Sequence, residues 1–286
     1  MERTTAAWGN GLLGVIIFSG SLPATRAAVA DFSPLFLTSA RAVIAALLGA
    51  ALLLAIRQTR PAREDVMPLV IVSLGVVVGF PLLTALALQH ITAAHSIVFI
   101  GLLPLATALF GVVRGGERPK PAFWLFSLLG AATVAGFALS RSGGGSVTGD
   151  LLMIAAVLVC GLGYAEGATL SRRLGGWQVI SWALLLSLPV MAALTLFTWP
   201  VSWSNVGVPA WIGLAYVSTF SMLIGFVFWY RGLALGGITG VSQLQLLQPF
   251  FGLVLAAVLL HEPIAWTMVA STAIVVVCVA GARRFA

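Results

Sequence analysis

Ten apolar stretches, each about 20 residues long, constrain this chain more than any other feature. Short breaks that carry proline, glycine or charged residues separate them. A helix of that length crosses a bilayer. Lipid offers no hydrogen-bond partners to backbone N–H and C=O groups, so a spanning segment must pair them within its own helix. The predicted spans are 8–29, 34–56, 67–89, 92–113, 121–140, 150–171, 177–198, 209–231, 238–260 and 264–282. We therefore predict an all-α integral membrane protein with ten transmembrane helices.

The charge content excludes several other classes of protein. Only 8% of the residues are charged and 60% are hydrophobic, whereas a soluble domain carries about 25% charge. The net charge of +7 does not indicate nucleic-acid binding, because the basic residues are scattered singly between apolar runs. Membrane lipids with anionic headgroups are the better partner. No G-x-x-x-x-G-K-[ST] phosphate-binding motif occurs, so no nucleotide cofactor is expected.

The distribution of arginine and lysine predicts the orientation. If the N-terminus is cytoplasmic, 12 of the 15 basic residues lie on the inner side, which the positive-inside rule favours. Both termini are then cytoplasmic, which requires an even number of spans. An alternative is that Met1 to Ala30 form a cleaved signal peptide. The internal repeat described next argues against that alternative.

The two halves of the chain repeat the same pattern. Pro104 is followed after 13 residues by Glu117, and Pro249 is followed after 13 residues by Glu262, so both pairs are offset by 145 residues. Spans one to five thus correspond to spans six to ten. Because five is odd, the two halves lie in opposite orientations, as in inverted-repeat membrane folds.

The repeat also predicts the domain boundaries. The first five-helix repeat covers residues 1–142, a glycine-rich linker covers 143–149, and the second repeat covers 150–286. The linker composition is typical of a flexible connector, although a plain surface loop fits equally well.

These motifs resemble a known family. Pro104 with Gly116-Glu117-Arg118-Pro119, Pro249 with His261-Glu262-Pro263, and Arg41 in the second span are similar to the ten-helix, EamA-type branch of the drug/metabolite transporter superfamily. The resemblance covers nearly the whole chain, and within the branch the sequence is most similar to bacterial exporters of aromatic amino acids. It implies a bacterial inner-membrane protein, ten helices around a central cavity, and export of small organic metabolites by alternating access.

Polar and aromatic residues inside the spans are the candidate substrate-cavity residues. Proline can kink a membrane helix, and buried amides need a partner or water. Amides also offer both donors and acceptors to an amino acid's ammonium and carboxylate groups. The opposing interpretation is that these groups only hold helices together. The predicted cavity residues are Phe80, Thr84, His95, Phe99, Pro104, Tyr164, Ser221, Trp229, Ser242, Gln245, Gln248 and Pro249.

Charged residues near the spans are predicted to have structural or gating roles. Arg41 needs a partner such as a carbonyl group or Asp31, and Glu166 lies toward the inner surface. We expect Glu117 and Glu262 to bind backbone N–H groups at the start of the helix that follows each. No carboxylate is predicted at the bilayer midplane, so proton coupling through an acid is disfavoured, while coupling through His95 or Glu166, or uncoupled flux, stays open.

Three alternatives to an amino-acid exporter remain. A multidrug or other-metabolite exporter would use the same architecture. An intramembrane enzyme is disfavoured, because no cluster has metal-ligand or nucleophile–base spacing, and no metal site is predicted. The third alternative is a structural or signalling membrane protein without flux. The oligomeric state is open, and a monomer is compatible with the pattern.

Overall fold

The computed structural model describes residues 2–87, 90–91, 96, 99–139, 146–260 and 266–286. Secondary structure in these residues is helical, with no β-strand, and it forms ten rods in chain order. The rods of the first half are α1 (Glu2–Ser19 and Ser21–Ala28), α2 (Pro34–Ala55), α3 (Arg63–Val72, Ser73–Gly79 and Phe80–Ala87), α4 (Leu103–Gly115) and α5 (Pro121–Leu139).

The second half has the same number of rods. They are α6 (Val147–Leu174), α7 (Gly176–Phe197), α8 (Val208–Tyr216, Val217–Ile224 and Gly225–Gly236), α9 (Ile238–Ser242, Gln243–Leu247 and Gln248–Leu260) and α10 (Trp266–Phe285). Each rod matches one predicted span. Six of them are long and apolar enough within the described residues to cross a membrane. The prediction of an all-α membrane protein is confirmed.

Several rods extend beyond their apolar stretches. α3 begins at Arg63 rather than at residue 67, and α8 continues to Gly236 rather than ending at 231. Hydropathy detects only the lipid-facing part of a helix, whereas backbone hydrogen bonds continue into the polar headgroup layer. At the start of α3 the extension carries Glu64 and Asp65, which pair with Arg173 of α6.

Matching irregularities in the two halves follow the repeat. α3 contains a π-helical segment that ends at Gly79, and α8 contains one that ends at Ile224, 145 residues later. Pro104 and Pro249 each occupy the second position of a helical segment, in α4 and α9. A π segment widens the helix and often marks a functional site. The offset of 145 residues that separates Pro104 from Pro249 therefore also separates the two π segments.

The packing of the rods has the same two-fold pattern. α1 packs on α8, and its repeat counterpart α6 packs on α3. α2 packs on α7, α4 on α9, and α5 on α10, so each of these pairs joins a rod to its own counterpart. Exchanging the two halves leaves the pattern unchanged, which is the arrangement expected of inverted repeats.

Polar contacts distinguish two ends of the bundle. One end holds the ends of α4, α6 and α8 and the starts of α1, α3, α5, α7 and α9. We call it the arginine-rich face, after Arg114, Arg172, Arg173 and Arg231. At the other end, the Asp31 carboxylate accepts a hydrogen bond of 2.8 Å from the Gly207 backbone N–H. Beside it lies an aromatic cluster of Phe32, Phe36, Trp199, Trp203 and Trp211.

The crossing of α1 and α8 depends on a glycine. A Cβ atom added to Gly232 would lie 2.6 Å from the Gly11 nitrogen and 2.8 Å from the Gly11 Cα. Both are backbone atoms, so one helix would have to move. We expect Gly232→Ala to destabilise the fold by about 1–3 kcal/mol and to lower its melting temperature in detergent.

Gly136 provides the matched control, because nothing lies within 4 Å of an added Cβ there. Gly136→Ala should stabilise α5 by up to about 1 kcal/mol through helix propensity. Equal melting temperatures for the two variants would contradict the close α1–α8 crossing.

Candidate functional site

Five aromatic rings meet in the core where α1, α6 and α8 pack together. We call them the central aromatic cluster: Phe18, Tyr164, Phe226, Trp229 and Tyr230. The ring centroid of Tyr164 lies 5.6 Å from that of Trp229 and 5.9 Å from that of Phe226, in edge-to-face geometry. Phe18 approaches Phe226 at 5.1 Å. The rings are 0–6% exposed, so all five are buried between the helices.

Small residues allow this close approach of the rings. Gly167 lies one turn from Tyr164 on α6, and a Cβ there would overlap the Tyr230 ring. Gly14 on α1 lies against the Trp229 backbone, where an added Cβ would be 3.1 Å away. The glycines of α1 and α6 therefore make room for the rings of α8.

An amide from α9 reaches the same region. Gln245 lies in the 3₁₀ segment Gln243–Leu247 and is 2% exposed. Its side chain lies near the Tyr164 phenol, but neither its oxygen nor its nitrogen meets hydrogen-bond geometry with any described residue. The Trp229 indole N–H is also buried without a partner in the described part of the chain.

Unpaired buried polar groups are unusual in a folded protein. Leaving such a group without a hydrogen bond costs about 1–3 kcal/mol, and most of them have a protein or water partner. Gln245 and Trp229 together present two donor groups and one acceptor beside aromatic rings. This combination suits a ligand that has both a ring and hydrogen-bonding groups.

The other predicted cavity residues on α8 and α9 lie in several environments. The Ser242 hydroxyl donates to the Thr239 carbonyl at 2.9 Å and to the Pro104 carbonyl at 3.4 Å, so it joins α9 to α4. The Ser221 hydroxyl accepts from Ser21 at 2.7 Å, which joins α8 to α1. At the start of the last segment of α9, Gln248 is half-buried and Pro249 is buried.

The predicted residues of α3 and α4 are only partly connected to this site. Phe80 and Thr84 are half-buried, one turn apart on α3, and the Thr84 hydroxyl is buried without a partner among the described residues. Phe99 is half-buried and packs against the main core. His95 lies outside the described residues, and so does Glu262.

The two predicted structural or gating residues also differ. Glu166 is 6% exposed, and its carboxylate accepts from the Arg114 Nε at 2.8 Å. The Arg41 Nε is buried and has no partner in the described residues. Asp31, a predicted partner of Arg41, instead holds the Gly207 backbone.

Glu117 joins three rods at the arginine-rich face. It follows Gly116, whose φ of +68° ends α4 in the left-handed conformation. Its carboxylate accepts from the backbone N–H groups of Ile238 and Thr239, at 2.7 Å each, and from Arg172 at 2.9 Å. The expectation that Glu117 binds N–H groups at a helix start is right, but the helix is α9 and not the following α5.

Two further ion pairs, both made by Arg173, lie at the same face. Arg173 at the end of α6 donates to Glu64 at 2.8 Å and to Asp65 at 2.5 Å, at the start of α3. With the Arg114–Glu166 and Arg172–Glu117 pairs, the end of α6 is tied to α3, α4 and α9. The described carboxylates that are buried, Asp65 and Glu166, both belong to these pairs. The described part of the chain contains no group of His, Cys, Asp and Glu that could hold a metal ion.

Three cluster members did not stand out in the sequence. Phe226 and Tyr230 share a helical face with Trp229, and Phe18 resembles any lipid-facing aromatic residue. The spacing of 226, 229 and 230 is the signal that could have identified the α8 face. No comparable pattern marks Phe18, because its role depends on the crossing of α1 with α8.

The sequence of each half matches the same family. The profile of the EamA-like transporter family matches residues 7–139 and again residues 147–283. The uncharacterized transporter YdeK of Bacillus subtilis (strain 168) is 67% identical over 286 residues, which are 100% of each chain. The uncharacterized transporter YvbV of the same strain is 24% identical over 270 residues, 92% of this chain and 86% of that protein.

A solved crystal structure also superposes on the whole bundle. It has a TM-score of 0.84 and covers 99% of this chain and 100% of its own, at 20% identity, so the likeness is one of fold. The resemblance to the drug/metabolite transporter superfamily is thus confirmed, while these relatives specify no substrate. Two matching repeats, a ten-rod bundle and a 67% identical relative lead to one conclusion: the chain belongs to the EamA-like transporter family.

Proposed function

We propose that this protein exports small organic metabolites by alternating access, and that aromatic or other apolar amino acids are its substrates. The observation that carries the proposal is the unpaired Gln245 amide beside the central aromatic cluster. The amide carbonyl can accept from a substrate ammonium, and the amide N–H can donate to a substrate carboxylate. The rings offer edge and face contacts to a substrate side chain.

The electrostatics of the core favour a substrate with no net charge. The described buried carboxylates are already neutralised by arginine. A carrier for organic cations generally places an acidic group along its pathway. A zwitterionic amino acid requires no such group, because its two charges balance.

The polar contacts at the arginine-rich face support alternating access. Glu117 belongs to the first repeat, and its partners Ile238, Thr239 and Arg172 belong to the second. Separation of the two repeats at this face would break all three contacts. We propose that this face is cytoplasmic, together with both termini, and that the described conformation is closed toward the cytoplasm.

Flux measurements test the proposal. Purified protein in liposomes should exchange labelled phenylalanine or tryptophan, and unlabelled aromatic amino acids should compete with the label. The same assay with and without a proton gradient tests coupling. Absence of exchange for every amino acid tested would overturn the substrate assignment.

A multidrug exporter is the second candidate, because aromatic faces also attract organic cations. A hydrophobic cation such as tetraphenylphosphonium is the discriminating competitor. If the cation is transported and amino acids do not compete with it, the multidrug assignment replaces the first.

A further inference from the structure

A cleft outside the central aromatic cluster opens at the arginine-rich face. It has a volume of about 420 Å³ and lies between the end of α6, the start of α7 and the end of α8. Small-molecule sites commonly have volumes of about 300–1,000 Å³. None of the predicted cavity residues lines this cleft, so it is separate from the proposed substrate site.

Two arginines make the cleft strongly basic. Arg172 and Arg231 line it, and no aspartate or glutamate does. Arg172 gives one N–H group to Glu117, and a guanidinium has five donors, so others remain available. Arg231 is exposed and makes no ion pair with any described residue. The positive charge of the cleft is therefore only partly compensated.

The start of α7 adds to this charge. A Cβ on Gly176, the first residue of α7, would lie 3.1 Å from the Arg231 backbone nitrogen, so this helix end touches α8. The 22-residue helix directs the positive end of its dipole toward the cleft. Gln178 lines the cleft as well, and its side-chain oxygen is buried without a partner among the described residues.

The remaining wall is apolar. Trp177, Ala234 and Leu235 line the cleft together with the arginines, and Leu235 is 47% exposed. Tryptophan is typical of the membrane interface, and basic pockets between membrane helices bind anionic headgroups. The cleft thus offers cations for a phosphate, an acceptor for a hydroxyl, and an apolar surface for the glycerol and acyl region.

We propose that this cleft is a binding site for an anionic phospholipid whose headgroup carries a free hydroxyl, such as phosphatidylglycerol. Arg172 and Arg231 bind the phosphodiester, Gln178 accepts from the headgroup hydroxyl, and Trp177 and Leu235 contact the apolar part of the lipid. A lipid bound in this cleft contacts α6, α7 and α8, and its binding does not depend on a transported substrate.

Lipid retention by the full-length protein tests the proposal. Detergent-solubilised protein is titrated with phosphatidylglycerol, and bound lipid is counted by native mass spectrometry. We expect Arg231→Gln to weaken retention about tenfold, because one of the two phosphate-binding cations is lost. Arg60→Gln is the matched control: it removes the same charge from an exposed residue of the 56–62 loop that does not line the cleft, and it should retain lipid as the unmodified protein does.

Further arms identify the ligand. Phosphatidylcholine and free glycerophosphate should bind at least about tenfold more weakly than phosphatidylglycerol, because the first carries no net charge and the second lacks acyl chains. If Arg231→Gln does not fold, Gln178→Leu serves instead and should abolish the preference for phosphatidylglycerol over phosphatidic acid. Equal retention by Arg231→Gln, an equal loss in Arg60→Gln, or equal binding of phosphatidylcholine or glycerophosphate would overturn the proposal.

Discussion

Replacing Glu117 by glutamine is expected to raise the alkylation rate of Cys160 at least about tenfold. The Glu117 carboxylate accepts three hydrogen bonds that join α4, α6 and α9. Hydrogen bonds to a charged group contribute about 1.5–3 kcal/mol each. Glutamine keeps one acceptor oxygen but loses the charge and the second acceptor, so the closed arrangement of this face is weakened. A loss of about 1.4 kcal/mol already shifts a population tenfold.

Cys160 reports this opening without any introduced residue. It is 1% exposed and lies one turn from Tyr164 on α6. The protein has a second cysteine, Cys278, so the experiment uses a Cys278→Ser background. A hydrophilic maleimide is added to the protein in nanodiscs, and the rate of modification is measured.

Glu64→Gln is the matched control for this experiment. The Glu64 side chain is 72% exposed, and it pairs with Arg173 at the same face. An exposed ion pair contributes at most about 1 kcal/mol, so the rate should change less than in the Glu117 variant. If Cys160 reacts at the unmodified rate in Glu117→Gln, these contacts do not hold the face closed.

Replacing Gln245 by leucine is expected to abolish most flux while leaving the fold at least as stable. The amide is 2% exposed and has no hydrogen-bond partner among the described residues. Removing an unpaired buried polar group relieves a cost of about 1–3 kcal/mol. The proposed substrate, in contrast, loses both its donor and its acceptor. We expect at least about a tenfold loss of phenylalanine exchange, the effect of about 1.4 kcal/mol, with an unchanged or higher melting temperature.

Gln243 provides the matched control for that variant. It lies two residues away in the same 3₁₀ segment and is fully buried. Its side-chain nitrogen donates to the Thr239 carbonyl at 3.5 Å, while its oxygen has no partner among the described residues. Gln243→Leu loses this one hydrogen bond and should preserve exchange. If Gln245→Leu unfolds more easily yet transports normally, the amide has a structural role and not a substrate-binding one.

The candidate site was partly predictable from sequence. Tyr164, Trp229 and Gln245 stand out because polar and aromatic groups inside an apolar span require an explanation. Their neighbours Phe18 and Phe226 do not, because aromatic residues are common in membrane helices. The unpaired state of the Gln245 nitrogen was not predictable. Gln243 lies in the same 3₁₀ segment, yet its side-chain nitrogen donates to Thr239, whereas neither polar atom of the Gln245 side chain has a partner among the described residues.

The partner of Glu117 illustrates the same limit. A glutamate after a helix-ending glycine predicts a contact with a helix start, and the nearest one along the chain is α5. The structure brings α9 there instead, because α4 packs on its repeat counterpart. A local motif can indicate the type of contact without identifying which distant segment supplies the other half.

Sequence alone determined the ten helices, the duplication and the offset of 145 residues that also relates the two π segments. Each of these depends on how a single stretch responds to lipid, which is a local property of its hydrophobicity and length. Only the tertiary structure decided which rods cross, which charges pair and which buried polar groups stay unpaired. Those outcomes depend on the distances between distant side chains, and apolar helix faces of similar composition do not encode such distances.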